Sequence, residues 1–255
     1  MLEPGGAGRR WRPGPAEGML RMPSFSRLPV FTIFMSSSFT TSAPTRLFIA
    51  GPAGQLEVLA DAPATAPIGI AVVAHPHPSQ GGNAEHKIPQ LLARVLQAHG
   101  FLTLRPNYRG VGQSEGQYDD GNGETDDVLA VIRHLQAEHP GMPLALAGFS
   151  FGGFVQARAA ARLAADGQAI AHVILTGMPA GALSETLSYD TPPVPAHALI
   201  VHGEADERVP LINVFTWARP QELPVVVLPG AGHFFTGKLP ALKQVVEGYL
   251  RRPQD

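Results

Sequence analysis

Beyond Thr45 the chain alternates between two hydrophobic patterns. Near-continuous apolar runs recur: PIGIAVVAH (67–75), FLTLRP (101–106), PLALAGF (143–149), AIAHVILTG (169–177), AHALIVHG (196–203) and PVVVLPG (224–230). Such runs are the mark of strands buried on both faces. Between them lie stretches whose apolar residues return every three or four positions, the period of an amphipathic helix. KIPQLLARVLQAHG has this spacing at Ile88, Leu91, Leu92, Val95 and Leu96 and stops at Gly100. GETDDVLAVIRHLQ opens with acids, where the helix dipole favours them. GGFVQARAAARLAA and LPALKQVVEGYL read as further helices, and RLFIA and QLEVLAD flank GPAG as a hairpin. Alternating strand and helix predict an α/β fold, a mostly parallel central sheet with helices on both faces. Ligands of such sheets bind beyond the carboxyl ends of the strands, so the reactive residues are sought there.

Residues 1–43 break the pattern. They are rich in Gly, Pro, Arg and Ser, and carry Arg9, Arg10, Arg12, Arg21 and Arg27 against Glu3 and Glu17. This composition predicts disorder. LPVFTIFM (28–35) is a short apolar stretch after basic residues, which leaves two expectations. Met35 is the true start, with an extension of no structural role before it, and the protein is cytoplasmic; alternatively the stretch is the core of an export signal. The folded domain then spans 44–255. It carries 14 basic against 19 acidic residues, a balance without the basic footprint of a nucleic-acid-binding protein. No apolar run approaches the ~18 residues of a membrane span. The chain has no cysteine, which excludes disulfides, thiolate metal sites and a cysteine nucleophile.

Three strand ends carry reactive residues. GFSFGG (148–153) follows an apolar strand and opens a helix. Gly-x-Ser-x-Gly at such a junction is the pattern of a nucleophile elbow, a sharp turn that lifts Ser150 above the sheet. A serine hydroxyl needs a base to take its proton. His233, in PGAGHFF, is displayed in a Gly-rich loop just past a strand. His99, His134, His139, His172 and His197 read instead as surface or packing residues, and His202 as a brace for the turn after it. An imidazole base needs an acid to hold its tautomer, and HGEADERVP offers Glu204, Asp206 and Glu207. Spacing alone does not choose among the three.

HPHPSQGG, RPNYRGVGQSEGQYDDGNGE, GFSFGG, HGEADERVP and GAGHFF, in that order, resemble the α/β-hydrolase superfamily over about four-fifths of the chain. The likeness is to small bacterial hydrolases of the serine-aminopeptidase-like and dienelactone-hydrolase-like branches. The resemblance implies Asp206 as the triad acid, the fourth residue after the histidine of the strand-end His-Gly pair. Dienelactone hydrolases proper use a cysteine, which this chain lacks, so that activity is not implied. RGVGQSEG is a structural turn in similar proteins; it lacks the lysine and the spacing of a phosphate loop.

Acyl transfer also needs backbone N–H donors for the oxyanion. Phe151, after the nucleophile, is one. The other comes from the loop after the third strand, here His75-Pro76-His77-Pro78. Proline has no N–H, so the donor is His77. His75 then braces the loop. His-x-His could bind zinc, but Ser79-Gln80 supply no further ligand, and a catalytic zinc wants three; no metal and no cofactor are expected. His86 stands where relatives often carry asparagine, at the pocket mouth. The segment 178–195 is too short for a large lid, and Met178, Leu183, Leu187 and Tyr189 could line an open cleft. The expected function is a serine hydrolase that cleaves a small carboxylic ester through an acyl-enzyme. The alternatives are an aminopeptidase-like or thioester hydrolase with the same triad, with Glu85, Glu115 or Asp119 to take a substrate amine, and a non-catalytic binding protein on the same fold.

Overall fold

The computed structural model describes residues 44–251. The readings of 1–43 as a disordered or mis-started extension, with Met35 as start or an export signal, lie outside the described residues, as do 252–255.

The apolar runs become one sheet of eight strands. These are β1 (Thr45–Gly51), β2 (Gly54–Asp61), β3 (Gly69–Ala74), β4 (Phe101–Pro106), β5 (Leu144–Phe149), β6 (His172–Thr176), β9 (Leu199–Gly203) and β10 (Val225–Leu228). Their order is β1-β2-β4-β3-β5-β6-β9-β10. A second, two-stranded ribbon pairs β7 (Gly181–Ala182) with β8 (Ser188–Tyr189). The hairpin expected around GPAG is present: β1 and β2 are antiparallel and Gly51 faces Gly54. β2 meets β4 antiparallel, and every pair from β4 to β10 is parallel. Every residue of β3, β4, β5, β6 and β9 is buried, as continuous apolar runs require. β10, on the edge, is only half-buried.

The side chains of β3 divide by the strand's period of two. Ile70, Val72 and Ala74 join the core beneath α2 (Asn122–Glu138) and α3 (Phe151–Ala165), with Val128, Ile132 and Val155. Ala71 and Val73 join the opposite core beneath α1 (Lys87–Ala98) and α5 (Leu239–Leu250), with Leu92, Leu96 and Leu242. Each fully buried Leu, Ile or Val is worth about 1.5–3 kcal/mol, so both faces hold the sheet flat against its helices.

α4 (Leu211–Ala218) was not foreseen. Its sequence LINVFTWA is short and carries apolar Ile212 and Phe215 on its exposed face, which masks the inward stripe of Leu211, Val214, Trp217 and Ala218. Nor was the β7–β8 ribbon, whose two-residue strands are too short to carry a period.

The topology fixes where a site can form. From β3 the chain moves outward to β4, then crosses back to β5 on the other side of β3. The loops after β3 and β5 therefore part at their carboxyl ends and leave a crevice, the switch point of an open α/β sheet. The RGVGQSEG turn lies apart from the residues that line this crevice and is tied to β2, with Glu115 N donating to Gln55 O at 2.8 Å. Glu57, buried, accepts from Asn107 Nδ2 at 2.9 Å and Gln113 N at 2.8 Å, and Ser114 Oγ receives Glu57 N at 2.9 Å. Two of the turn's polar groups, Gln113 N and Ser114 Oγ, are thus bonded to Glu57 of β2.

Candidate active site

β5 delivers Ser150 into a strained turn at the start of α3, with φ 54 and ψ −127. The left-handed φ is costly for a residue with a Cβ, and the neighbouring glycines make room for it. A Cβ on Gly148 would sit 2.3 Å from Gly152 O, and one on Gly152 would sit 2.3 Å from Ala74 O. Both are backbone atoms that cannot swing away. Ser150 N donates to Thr176 O at 2.9 Å, tying the turn to β6.

The loop after β10 brings His233 over this serine. His233 Nε2 lies 2.9 Å from Ser150 Oγ, and Nδ1 lies 2.8 Å from Asp206 Oδ2. A carboxylate only accepts, so Nδ1 carries the proton and Nε2 is free to accept from the serine hydroxyl. The three acids left open by spacing part company here. Asp206 alone reaches the ring. Glu204 receives Gly230 N at 2.8 Å and Glu207 receives His233 N at 3.2 Å, so both brace the loop that carries the histidine.

Asp206 is buried at 8% exposure. Burial alone would raise its pKa, but the His233 hydrogen bond, the His233 charge and the amides of Val209 and Arg208 outweigh it and hold the carboxyl below its ordinary value. Those amides lie at 2.8 and 2.9 Å from Oδ1. His202 supplies a further contact that sequence reading assigned only to the turn. Its Nε2 is 2.9 Å from Val209 O and 3.3 Å from Asp206 Oδ2. Both neighbours are acceptors, so Nε2 bears the proton. Burial lowers the His202 pKa and keeps the ring neutral.

The His-Pro loop meets the serine from the other side. The peptide between Pro76 and His77 has its carbonyl held by His75 Nδ1 at 2.7 Å. A trans peptide points its N–H opposite its carbonyl, so His75 sets the direction of the His77 N–H. Among the described residues, neither His77 N nor Phe151 N donates to any protein acceptor. The His77 ring is occupied elsewhere. Nδ1 receives Ser79 N at 3.3 Å, and Nε2 lies 3.0 Å from Tyr118 OH. Burial lowers the His77 pKa, with Asp120 opposing.

His75 is fully buried. Its Nε2 accepts from Tyr108 N at 3.2 Å, a bond that a second ring proton would break. Burial pushes its pKa down to about 3, against the lift from its Pro76 hydrogen bond. The unfolded chain takes up this proton near the ordinary value of about 6.5. The stabilisation is therefore complete above about pH 6.5 and drains away as the pH falls towards 3. Between pH 7.5 and pH 5 the loss traceable to His75 is about 2 kcal/mol. Urea midpoints at the two pH values, compared between wild type and His75→Gln, measure it: the difference shrinks in the variant. An unchanged difference contradicts a buried neutral His75.

The cleft in front of Ser150 encloses about 240 Å³. Leu183, Leu187 and Tyr189 line it, carried by the β7–β8 ribbon and the turn within it. Met178 does not. It is buried beneath the elbow, where its Cβ would lie 2.9 Å from a Cβ on Gly153, and so it packs the core rather than the cleft. Gln80, Ser184 and Arg208 line the cleft and were not singled out from sequence. Their only sequence signal is position: Gln80 follows the His-Pro loop and Arg208 stands two residues after Asp206. His86 stacks on Phe149 at 5.5 Å and caps α1 rather than lining the cleft.

A larger cavity of about 580 Å³ lies beyond Tyr118, against Arg46, Glu57, Asn83 and Glu85. It contains no residue of the Ser150 relay. Glu85 faces it, 3.7 Å from Arg46. Glu115 receives Gln55 N at 2.7 Å and Asp119 receives Gly123 N at 3.0 Å. None of these three acids reaches the cleft. Among the described residues no group of three His, Asp or Glu side chains is disposed to hold a metal ion, and no helix is long and apolar enough to cross a membrane.

Comparison with known proteins bears on the family and the fold. Residues 70–214 match the family model for serine aminopeptidase, S33. An uncharacterized protein of Rickettsia prowazekii (strain Madrid E) is 30% identical over 214 residues, covering 80% of this chain and 88% of that protein. An α/β serine hydrolase without a lid from Xanthomonas campestris is 33% identical and superposes with a TM-score of 0.74, covering 86% of this chain and 99% of that one. An α/β serine hydrolase homologue from Coxiella burnetii is 34% identical with a TM-score of 0.71, covering 83% and 99%.

Proposed function

The chain belongs to the serine aminopeptidase S33 family of α/β serine hydrolases, and from that premise we propose that it hydrolyses small carboxylic esters through an acyl-enzyme on Ser150. The observation that carries the reading is the unbroken relay from Ser150 Oγ through His233 to buried Asp206, at 2.9 and 2.8 Å. In this reading Ser150 Oγ attacks the ester carbonyl while His233 Nε2 takes its proton. Asp206 stabilises the imidazolium that results. The N–H groups of His77 and Phe151 receive the oxyanion, the second with the N-terminal dipole of α3 behind it. His233 then gives the proton to the leaving alkoxide. A water, deprotonated by the same nitrogen, attacks the acyl carbon and frees Ser150. No step calls for a cofactor. The folded domain in this proposal is 44–255.

Two features favour esters of small acids. A cleft of about 240 Å³ lies below the roughly 300–1,000 Å³ of most small-molecule sites. An aminopeptidase needs an acid for the substrate's free amine, and no side chain lining this cleft bears one. Steady-state assays with 4-nitrophenyl esters from acetate to octanoate test both points. The expected result is a maximum at two to four acyl carbons, with kcat/KM at least about tenfold lower for octanoate, a difference of ~1.4 kcal/mol. Alanyl 4-nitroanilide and an acetyl thioester serve in parallel. Hydrolysis of the anilide without turnover of any ester contradicts the proposal in favour of the aminopeptidase alternative.

A further inference from the structure

Among the described residues, Arg208 is the one permanently charged side chain lining the cleft. Its backbone is tied to the relay, because Arg208 N donates to Asp206 Oδ1 at 2.9 Å. Its guanidinium is held by uncharged partners. Nη1 donates to Gln80 Oε1 at 2.5 Å, and the group lies 4.9 Å from the centroid of the Phe234 ring, next to His233. It thus reaches from the loop after β9 to the loop after β3, within the crevice that holds Ser150.

No carboxylate neutralises it among the described residues. This is unlike Arg46, Arg105, Arg109 and Arg162, each of which pairs with a Glu or Asp. Nor are carboxylates scarce nearby. Glu204 and Glu207 stand on the same loop, yet both are turned to amides of the His233 loop. Asp206 is committed to His233, to two amides and to His202. Asp120, the acid that bears on His77, lines a separate cavity with Arg158 and Arg162. The cleft therefore carries an uncompensated positive charge whose fork has four N–H donors left over, the geometry that matches a carboxylate. With no lysine lining the cleft beside it, one guanidinium balances one carboxylate charge rather than the two of a phosphate.

We infer that Arg208 binds a carboxylate on the substrate, so that the preferred substrates are anionic esters: half-esters of dicarboxylic acids, or esters whose alcohol carries a carboxylate. The inference rests on the ester-hydrolase reading of Ser150 and sharpens its substrate class.

Two matched pairs test it. The monoaryl adipate and its methyl-masked diester, 4-nitrophenyl methyl adipate, differ only by a charge on the acyl side. 4-Acetoxybenzoate and its methyl ester differ by a charge on the leaving group, and each rate is taken relative to the ester's own hydroxide-catalysed hydrolysis, which corrects for the better leaving group of the methyl ester. Arg208 is exposed at the rim of the cleft, so wild type is expected to favour the charged member of one pair by about 3- to 10-fold in kcat/KM, the scale of a partly solvated ion pair. The pair that responds identifies the side of the ester that Arg208 reads. The preference falls towards unity in Arg208→Gln, returns in part in Arg208→Lys, and weakens with added salt. Equal turnover of both members of both pairs by wild type overturns the inference and leaves the esterase reading intact, as does a preference that survives in Arg208→Gln. Folded wild type that turns over none of the four esters overturns the esterase reading, and this inference with it.

Discussion

Ser150→Ala is expected to lower kcat for a short aryl ester by about 10⁴-fold or more while the protein stays folded. The expectation follows from what alanine removes and what it keeps. It removes the Oγ that lies 2.9 Å from His233 Nε2. It keeps the Cβ, and with it the same left-handed φ of 54, so the turn bears the strain it bears already. His233→Ala removes the base and is expected to cost a similar factor. The double variant should be no slower than either single one, because the groups act as a unit. Asp206→Asn tests the third member. An amide can donate towards His233 Nδ1, which drives the ring proton to Nε2 and leaves no acceptor for the serine. A loss of about 10⁴-fold is expected. Steady-state kinetics with melting curves measures all four; a Ser150→Ala protein that retains a tenth of wild-type kcat contradicts the assignment.

Gly152→Ala is expected to be among the most damaging single methyls near the site. The added carbon meets Ala74 O at 2.3 Å and His75 O at 2.6 Å, both backbone atoms. Relief would mean driving α3 away from the end of β3. That displaces Ser150 and the His75–His77 loop together, so stability and activity fall as one. Overpacking of a core costs about 1–3 kcal/mol when side chains can give way, and more when they cannot. A loss of about 4 kcal/mol corresponds to roughly 10 °C in Tm for a domain of this size. Gly248→Ala is the control of opposite sign. It lies in α5 with nothing within 4 Å of the new Cβ. Helix propensity then predicts a gain of about 0.5–1 kcal/mol. Calorimetry of the two variants checks both; equal melting temperatures contradict the packing described at the elbow.

The parts of this molecule legible in sequence are those where a local rule has a single outcome. Continuous apolar runs had to be strands covered on both faces, and β3 to β6 and β9 are that. Pro76 and Pro78 cannot donate, which left His77 as the loop's available amide. Gly148 and Gly152 announced a tight turn around Ser150 before any contact was known. The rest depends on what comes together in space. Glu204, Asp206 and Glu207 share one loop, and only the direction of each side chain separates the one that meets the His233 ring from the two that meet backbone. Met178 follows a strand end just as a cleft residue would, but its side chain turns under the elbow. α4 is short, eight residues, and its exposed face carries Ile212 and Phe215, so its inward stripe does not stand out in the sequence. The charge of Arg208 was visible, but not that its neighbouring acids are all engaged elsewhere.

The central claim is that Ser150 is an activated nucleophile, and covalent capture tests it most directly. Folded wild type is treated with a fluorophosphonate, and the adduct is located by peptide mass mapping beside Ser150→Ala and His233→Ala. The account predicts one adduct, on the peptide that contains Ser150, absent from the first variant and lost or greatly slowed in the second. An unlabelled wild type, or an adduct on any other residue, would contradict it.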